Sequence, residues 1–119
     1  MRFLVRVHLS IEGGNRMVKD PKGLEKLEEY YKKVKAEAAY FYEDGGERTM
    51  AFIVDLPSVD MIPMVAEPMF QEFNARVEFH PVMVLEDLKK GFAMLEKADR
   101  QVDYKKITYA NWQVLKERM

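Results

Sequence analysis

The chain has 119 residues, 48% hydrophobic and 33% charged, with six glycines and five prolines; this suits one globular domain and excludes disordered or collagen-like architectures. Nineteen Lys and Arg against twenty Asp and Glu give a formal charge of -1, so the phosphate attraction behind nucleic-acid or anionic-membrane binding is missing, and neither is expected as a partner. With no cysteine and only two histidines, thiol chemistry, iron–sulfur clusters and the common Cys/His zinc sites are out of reach.

From Arg2 to Ser10 the side chains alternate, Phe3, Val5, Val7 and Leu9 against Arg2, Leu4, Arg6, His8 and Ser10, which predicts a half-buried strand. Glu12-Gly13-Gly14-Asn15 reads as a loop. Asp20-Pro21 then reads as an N-cap followed by the first helical position. Leu24, Leu27, Tyr31, Val34 and Ala38 recur at steps of three and four and predict an amphipathic helix. A short aromatic strand over 39–43 and the turn Asp44-Gly45-Gly46 lead into a third strand over 48–56, forming a hairpin. Pro57 ends that strand, Ser58 can cap a second helix from Val59 to about Phe73, and Pro68 inside it predicts a kink or two short segments. Asn74 closes that helix. The fourth strand is Arg76 to Met83, and Pro81 within it demands an edge position or a bulge.

The order strand, helix, strand, strand, helix, strand predicts an α+β fold. It is the ferredoxin-like βαββαβ unit, a four-stranded antiparallel sheet in the order 4-1-3-2 with both helices on one face. Residues 1–90 make this domain. Residues 91–119 are read as a C-terminal helical extension that packs on the domain or on a partner subunit. From Glu86 onward the pattern is helical: Leu88, Phe92 and Leu95 share one face, 99–103 form a polar joint, and 104–118 predict another helix with Ile107, Trp112 and Leu115 on its apolar side. No apolar run approaches the ~20 residues a membrane span needs, and Arg6 and His8 interrupt the first strand where a signal peptide would be apolar. The expectation is a cytoplasmic protein.

The contrast between the two sheet faces carries the functional information. One face is uniformly apolar and must lie under the helices. The other mixes Arg6, His8, Asp55, Glu78 and His80 with Leu4, Ala51, Ile53 and Val82. Water alone does not normally face such aliphatic residues, and a structural interface does not normally collect so many ionisable ones. A second copy laying its own open face opposite would enclose both sets, so a homodimer or higher homo-oligomer around a small organic molecule is expected. Imidazole beside carboxylate is the usual material of proton transfer near neutral pH. His80, His8, Glu78 and Asp55 are therefore the candidate catalytic residues. Arg6 is the candidate for holding an anion or an enolate oxygen. Tyr40 and Tyr42 are candidate substrate-binding hydroxyls. Each also has a structural reading, as cross-strand pairing or plain packing. No local metal-ligand spacing is present, one imidazole is a weak haem signal, and neither metal nor cofactor is expected.

Three stretches carry a resemblance: MRFLVRVHL followed by Gly14-Asn15; Ala66-Glu67-Pro68-Met69-Phe70; and Val77-Glu78-Phe79-His80-Pro81-Val82-Met83 with Glu86-Asp87-Leu88. Over residues 1 to 90 the chain resembles a group of small uncharacterised proteins in the dimeric α+β barrel superfamily, near its muconolactone isomerase-like branch. The resemblance implies two ferredoxin-like units joined sheet to sheet. Superfamily members include isomerases, polyketide-type cyclases, cofactor-independent monooxygenases, haem enzymes and ligand-sensing modules of transcription factors. His80 matches the group's motif, which assigns it no role. The leading expectation is a metal-free isomerase or cyclase. The alternatives are a non-catalytic ligand-sensing or protein-assembly module and a cofactor-independent monooxygenase.

Overall fold

A computed structural model describes residues 1–101 and 116–117, with side chains over 1–97 and 116–117. Four strands, β1 (Arg2–His8), β2 (Ala38–Asp44), β3 (Glu47–Asp55) and β4 (Arg76–Pro81), form one antiparallel sheet in the order β2-β3-β1-β4. Read from the other edge, this is the expected order 4-1-3-2. The helices of this unit are α1 (Ile11–Lys19), α2 (Gly23–Val34) and α3 (Ile62–Phe73), the last preceded by a single 3₁₀ turn at Val59–Met61. The backbone divides into two compact units, Met1–Val82 and Met83–Met119.

The first unit follows from strand alternation. Phe3, Val5 and Val7 of β1, Met50, Phe52 and Val54 of β3, and Leu27, Val34, Val65 and Met69 from α2 and α3 form one buried cluster. Phe52 lies at its centre, fully buried, with edge-on contacts to Tyr30 and Tyr31 at ring distances of 5.9 and 5.2 Å. Each ring also has a polar end to satisfy. Tyr30 donates to the carbonyl of Val65 at 2.7 Å, tying α2 to α3, and Tyr31 donates to the sulfur of Met50 at 3.3 Å. Burial raises both phenol pKa values above the ordinary tyrosine range.

The connection after β1 differs from the sequence expectation. Residues 11–19 are helical, and Ser10 is the cap: its hydroxyl oxygen accepts from the Gly13 amide at 2.9 Å and its hydroxyl donates to the Phe73 carbonyl at 3.0 Å. The glycines serve close packing here. A Cβ on Gly13 would stand 1.9 Å from the Phe73 carbonyl oxygen, and one on Gly14 would stand 2.5 Å from the Arg48 guanidinium.

Asp20 caps the turn between α1 and α2, accepting from the Lys22 amide and from Lys26 Nζ, each at 2.9 Å, and α2 itself begins at Gly23. The Lys22 amide bond, followed by Lys26, holds the Asp20 carboxyl below its ordinary pKa. Pro68 does not divide α3, which runs unbroken from Ile62 to Phe73. Ser58 precedes the 3₁₀ turn with its hydroxyl on Asp60 rather than on the backbone. Gly45 and Gly46 take positive φ, +60° and +82°, as the tight β2–β3 hairpin requires. Pro81 ends β4, an edge strand.

In the second unit α4 spans Leu85–Gln101, and its start is capped where the Val84 amide donates to Asp87 at 3.1 Å. Leu85, Leu88, Phe92 and Leu95 lie exposed along it at helical spacing. Most of the expected polar joint and the helix with Ile107, Trp112 and Leu115 lie outside the described residues. Among the described residues no helix is long and apolar enough to cross a membrane.

Candidate functional site

The face of the sheet turned away from the core is built by register. Arg6 of β1 stands between Ala51 of β3 and Glu78 of β4; His8 stands between Thr49 and Arg76; Leu4 stands between Ile53 and His80. Beyond β3, Tyr40 lies beside Ala51 and Tyr42 beside Thr49. Alternation therefore puts every expected site residue on one face, with Leu4, Ala51 and Ile53 as the apolar part of the floor.

Glu78 is the hub. Its carboxylate hydrogen-bonds to His80 Nε2 at 3.2 Å and lies 3.7 Å from His8 Nε2, 3.8 Å from Arg6 Nη1 and 3.9 Å from Arg76 Nε. The His80 hydrogen bond first, then the charges of Arg6 and the imidazoles, hold the Glu78 carboxyl below the ordinary glutamate range. Arg6 forms an ion pair with Asp44 and donates from Nε to the Tyr42 hydroxyl at 3.3 Å. Tyr42 is the first cause that raises the guanidinium above its already high pKa.

His8 is the unusual member, only 5% exposed on the face that the helices leave open. Its Nδ1 lies 3.3 Å from the Thr49 hydroxyl, whose own proton goes to the Glu47 carbonyl at 3.1 Å. On its other side His8 Nε2 faces Glu78 and Asp44, the latter at 4.0 Å. Glu47 lies 3.5 Å from Nδ1. Three carboxylates thus surround one buried imidazole. At this end of the sheet a cavity of about 590 Å³ is lined by His8, Asn15, Glu47, Arg48, Asn74 and Arg76 among others.

Asp55 stands apart. It shares the face, but pairs in register with Arg2 and binds the terminal ammonium of Met1 at 3.2 Å and Arg2 at 3.9 Å. Residues 2 and 8 of one strand are roughly 20 Å apart at about 3.3 Å per residue, so Asp55 and His8 occupy opposite ends of β1. Asp44, Glu47, Thr49 and Arg76 join the cluster although they were not among the expected residues. Asp44 is legible in principle, since it continues the Tyr40, Tyr42 alternation of β2, although beside Gly45-Gly46 it also reads as the start of the turn. Among the described residues no group of three His, Asp or Glu side chains is placed to hold a metal ion.

No protein-family model matches the chain, and neither does any curated protein. Among solved structures, a formyltetrahydrofolate deformylase from Pseudomonas putida KT2440 is similar at 13% identity and a TM-score of 0.40 over 68% of this chain. The matched part spans only 28% of the deformylase. A structural-genomics protein from Agrobacterium tumefaciens is similar at 17% identity and a TM-score of 0.38, over 71% of this chain and 96% of its own.

Proposed function

We propose that the open sheet face binds a small organic acid and transfers a proton on it without a metal, in the manner of an isomerase or cyclase, with a second copy of the chain closing over the face. The observation that carries the reading is the Glu78–His80 hydrogen bond, set between Arg6 and the buried His8. His80 is the base because its side chain is half exposed and reaches a ligand, whereas His8 is enclosed. Glu78 orients the His80 ring and stabilises the imidazolium that forms when the ring takes a proton. Asp44 and Tyr42 fix Arg6 through Nη2 and Nε, and Nη1, 3.8 Å from Glu78 and without a hydrogen bond to it, is the nitrogen offered to a carboxylate or the developing enolate oxygen. Leu4, Ala51, Ile53 and Tyr40 supply the apolar floor for the body of the ligand. Asp55, at the far end of β1, is assigned to anchoring Met1 and Arg2 rather than to the chemistry.

The test begins with a thermal-shift screen of small aromatic and keto acids, in which a binder present at a hundred times its dissociation constant adds about 2.7 kcal/mol of stability. An acid that binds is then followed by proton NMR in D₂O for exchange of its enolisable C–H. The expected result is exchange with the wild-type chain and none with His80→Ala, which stays folded and still binds. Exchange that survives His80→Ala overturns the assignment of the base, and a screen with no binder overturns the reading as a whole.

A further inference from the structure

We infer that β2 is an assembly edge on which a second copy of this chain adds its own β2 antiparallel, continuing the two sheets into one of eight strands. This contact is distinct from the face-to-face closure proposed above and does not rest on it.

The two borders of the sheet are treated differently. β4 is short, ends in Pro81, which has no amide to donate, and carries Arg76 and Glu78. These are the usual devices that keep a border from pairing. On β2 charge is confined to the last two residues, Glu43 and Asp44. Its seven residues, AAYFYED, contain no proline or lysine, and its register with β3 runs from Ala38 to Asp44 without a bulge. Its other border pairs with no strand among the described residues. Tyr40 is 66% exposed and Phe41 58%, one on each face of the strand. On the helix side a groove of about 460 Å³ runs beside Phe41, lined by Tyr31, Ala36 and by Leu24, which is 80% exposed.

The occupant follows from symmetry and charge. Phe41 is the middle residue of Ala38–Asp44, so a two-fold axis through it pairs the full strand with its mate. Phe41 then meets Phe41 of the second copy, and Tyr40 meets Tyr42, giving aromatic cross-strand pairs on both faces. A shift of two residues in either direction leaves part of the strand unpaired, and a shift of one puts the helices of the two copies on opposite sides. Lys32, Lys33 and Lys35 precede the strand and Glu43 closes it, whereas Asp44, Glu47 and Glu37 are paired within their own copy with Arg6, Arg76 and Arg2. Antiparallel pairing lays the acidic end of one copy toward the basic end of the other; parallel pairing would set like against like. The tyrosines of the second copy would extend the open face beyond Tyr40 and Tyr42.

The experiment is sedimentation velocity of the full chain over a range of concentrations, for the wild type, Phe41→Lys and Ile53→Lys, with far-UV circular dichroism to confirm folding. Phe41 lies on the helix side of the edge, outside the candidate site, and Ile53 lies on the open face. Phe41→Lys is expected to halve the assembly mass at concentrations where the wild type is associated. A second variant does not depend on weakening anything. Cα atoms paired across an antiparallel ladder stand about 4.5–5.5 Å apart, within disulfide range. Since the chain has no cysteine, Phe41→Cys should give a single crosslinked dimer under mild oxidation. An unchanged mass for Phe41→Lys, or no Phe41→Cys crosslink, overturns the inference. Mass halved by Ile53→Lys alone sinks the edge and leaves the face-to-face reading standing; mass halved by Phe41→Lys alone does the reverse. A wild type that is monomeric throughout overturns both.

Discussion

The two faces of this sheet arise from one alternation but obey different physics. On the helix side, Phe3, Val5, Val7, Met50, Phe52 and Val54 are buried, and each gains stability from leaving water. On the other side, Arg6, His8, Asp44, Glu47, Glu78 and His80 hold one another through ion pairs and hydrogen bonds that are mostly solvent-facing. Such pairs contribute little to folding, with a median near 0–1 kcal/mol. The comparison teaches that stability is concentrated on one face: the first must be packed without error, while the second tolerates change in folding terms and is where the proposed chemistry would lie.

The sharpest way to break that division is to truncate one side chain on each face. Phe52→Ala empties the centre of the core and is expected to cost about 3–5 kcal/mol in urea unfolding. Tyr40→Ala, on the open face, should fall within about 0.5 kcal/mol. Equal losses would mean that the open face is a second core. A smaller effect is expected where α1 closes on α3. Gly13→Ala pushes a methyl onto the Phe73 carbonyl and should lower stability by about 1–3 kcal/mol, with a neutral result showing that the two helices separate freely.

The smallest effect concerns pH. The Glu78 carboxyl is held below its unfolded value, chiefly by His80. The stabilisation it contributes is therefore present above the unfolded pKa and lost as pH falls through the depressed folded one. Melting curves taken from neutral to strongly acid pH should show wild type and Glu78→Gln converging at the acid end. A gap that widens there would reverse the sign of the assignment.

Much of this was legible from residues alone. Alternation assigned Arg6, His8, Glu78 and His80 to one face because a strand has a strict period of two, and Pro81 marked its strand as a border. Register along the strands was harder to read. Asp55 shares the face with His8, yet only the pairing with Arg2 reveals that it belongs to the other end. The helix α1 was missed because Gly13 and Gly14 resemble a loop when their neighbours are unknown. Their smallness answers to Phe73 and Arg48, which lie 60 and 34 residues away in sequence, and short-range pattern carries no trace of such partners. Pro68 misled in the opposite direction, since α3 continues through it.

Pro81 has a consequence for how far association can go. A sheet able to recruit strands on both borders would grow without limit, as fibrils do. Here one border ends in a residue that cannot donate, so the strand recruitment inferred at the other would terminate after a single step and would use an aromatic, adhesive margin without the hazard of open-ended polymerisation.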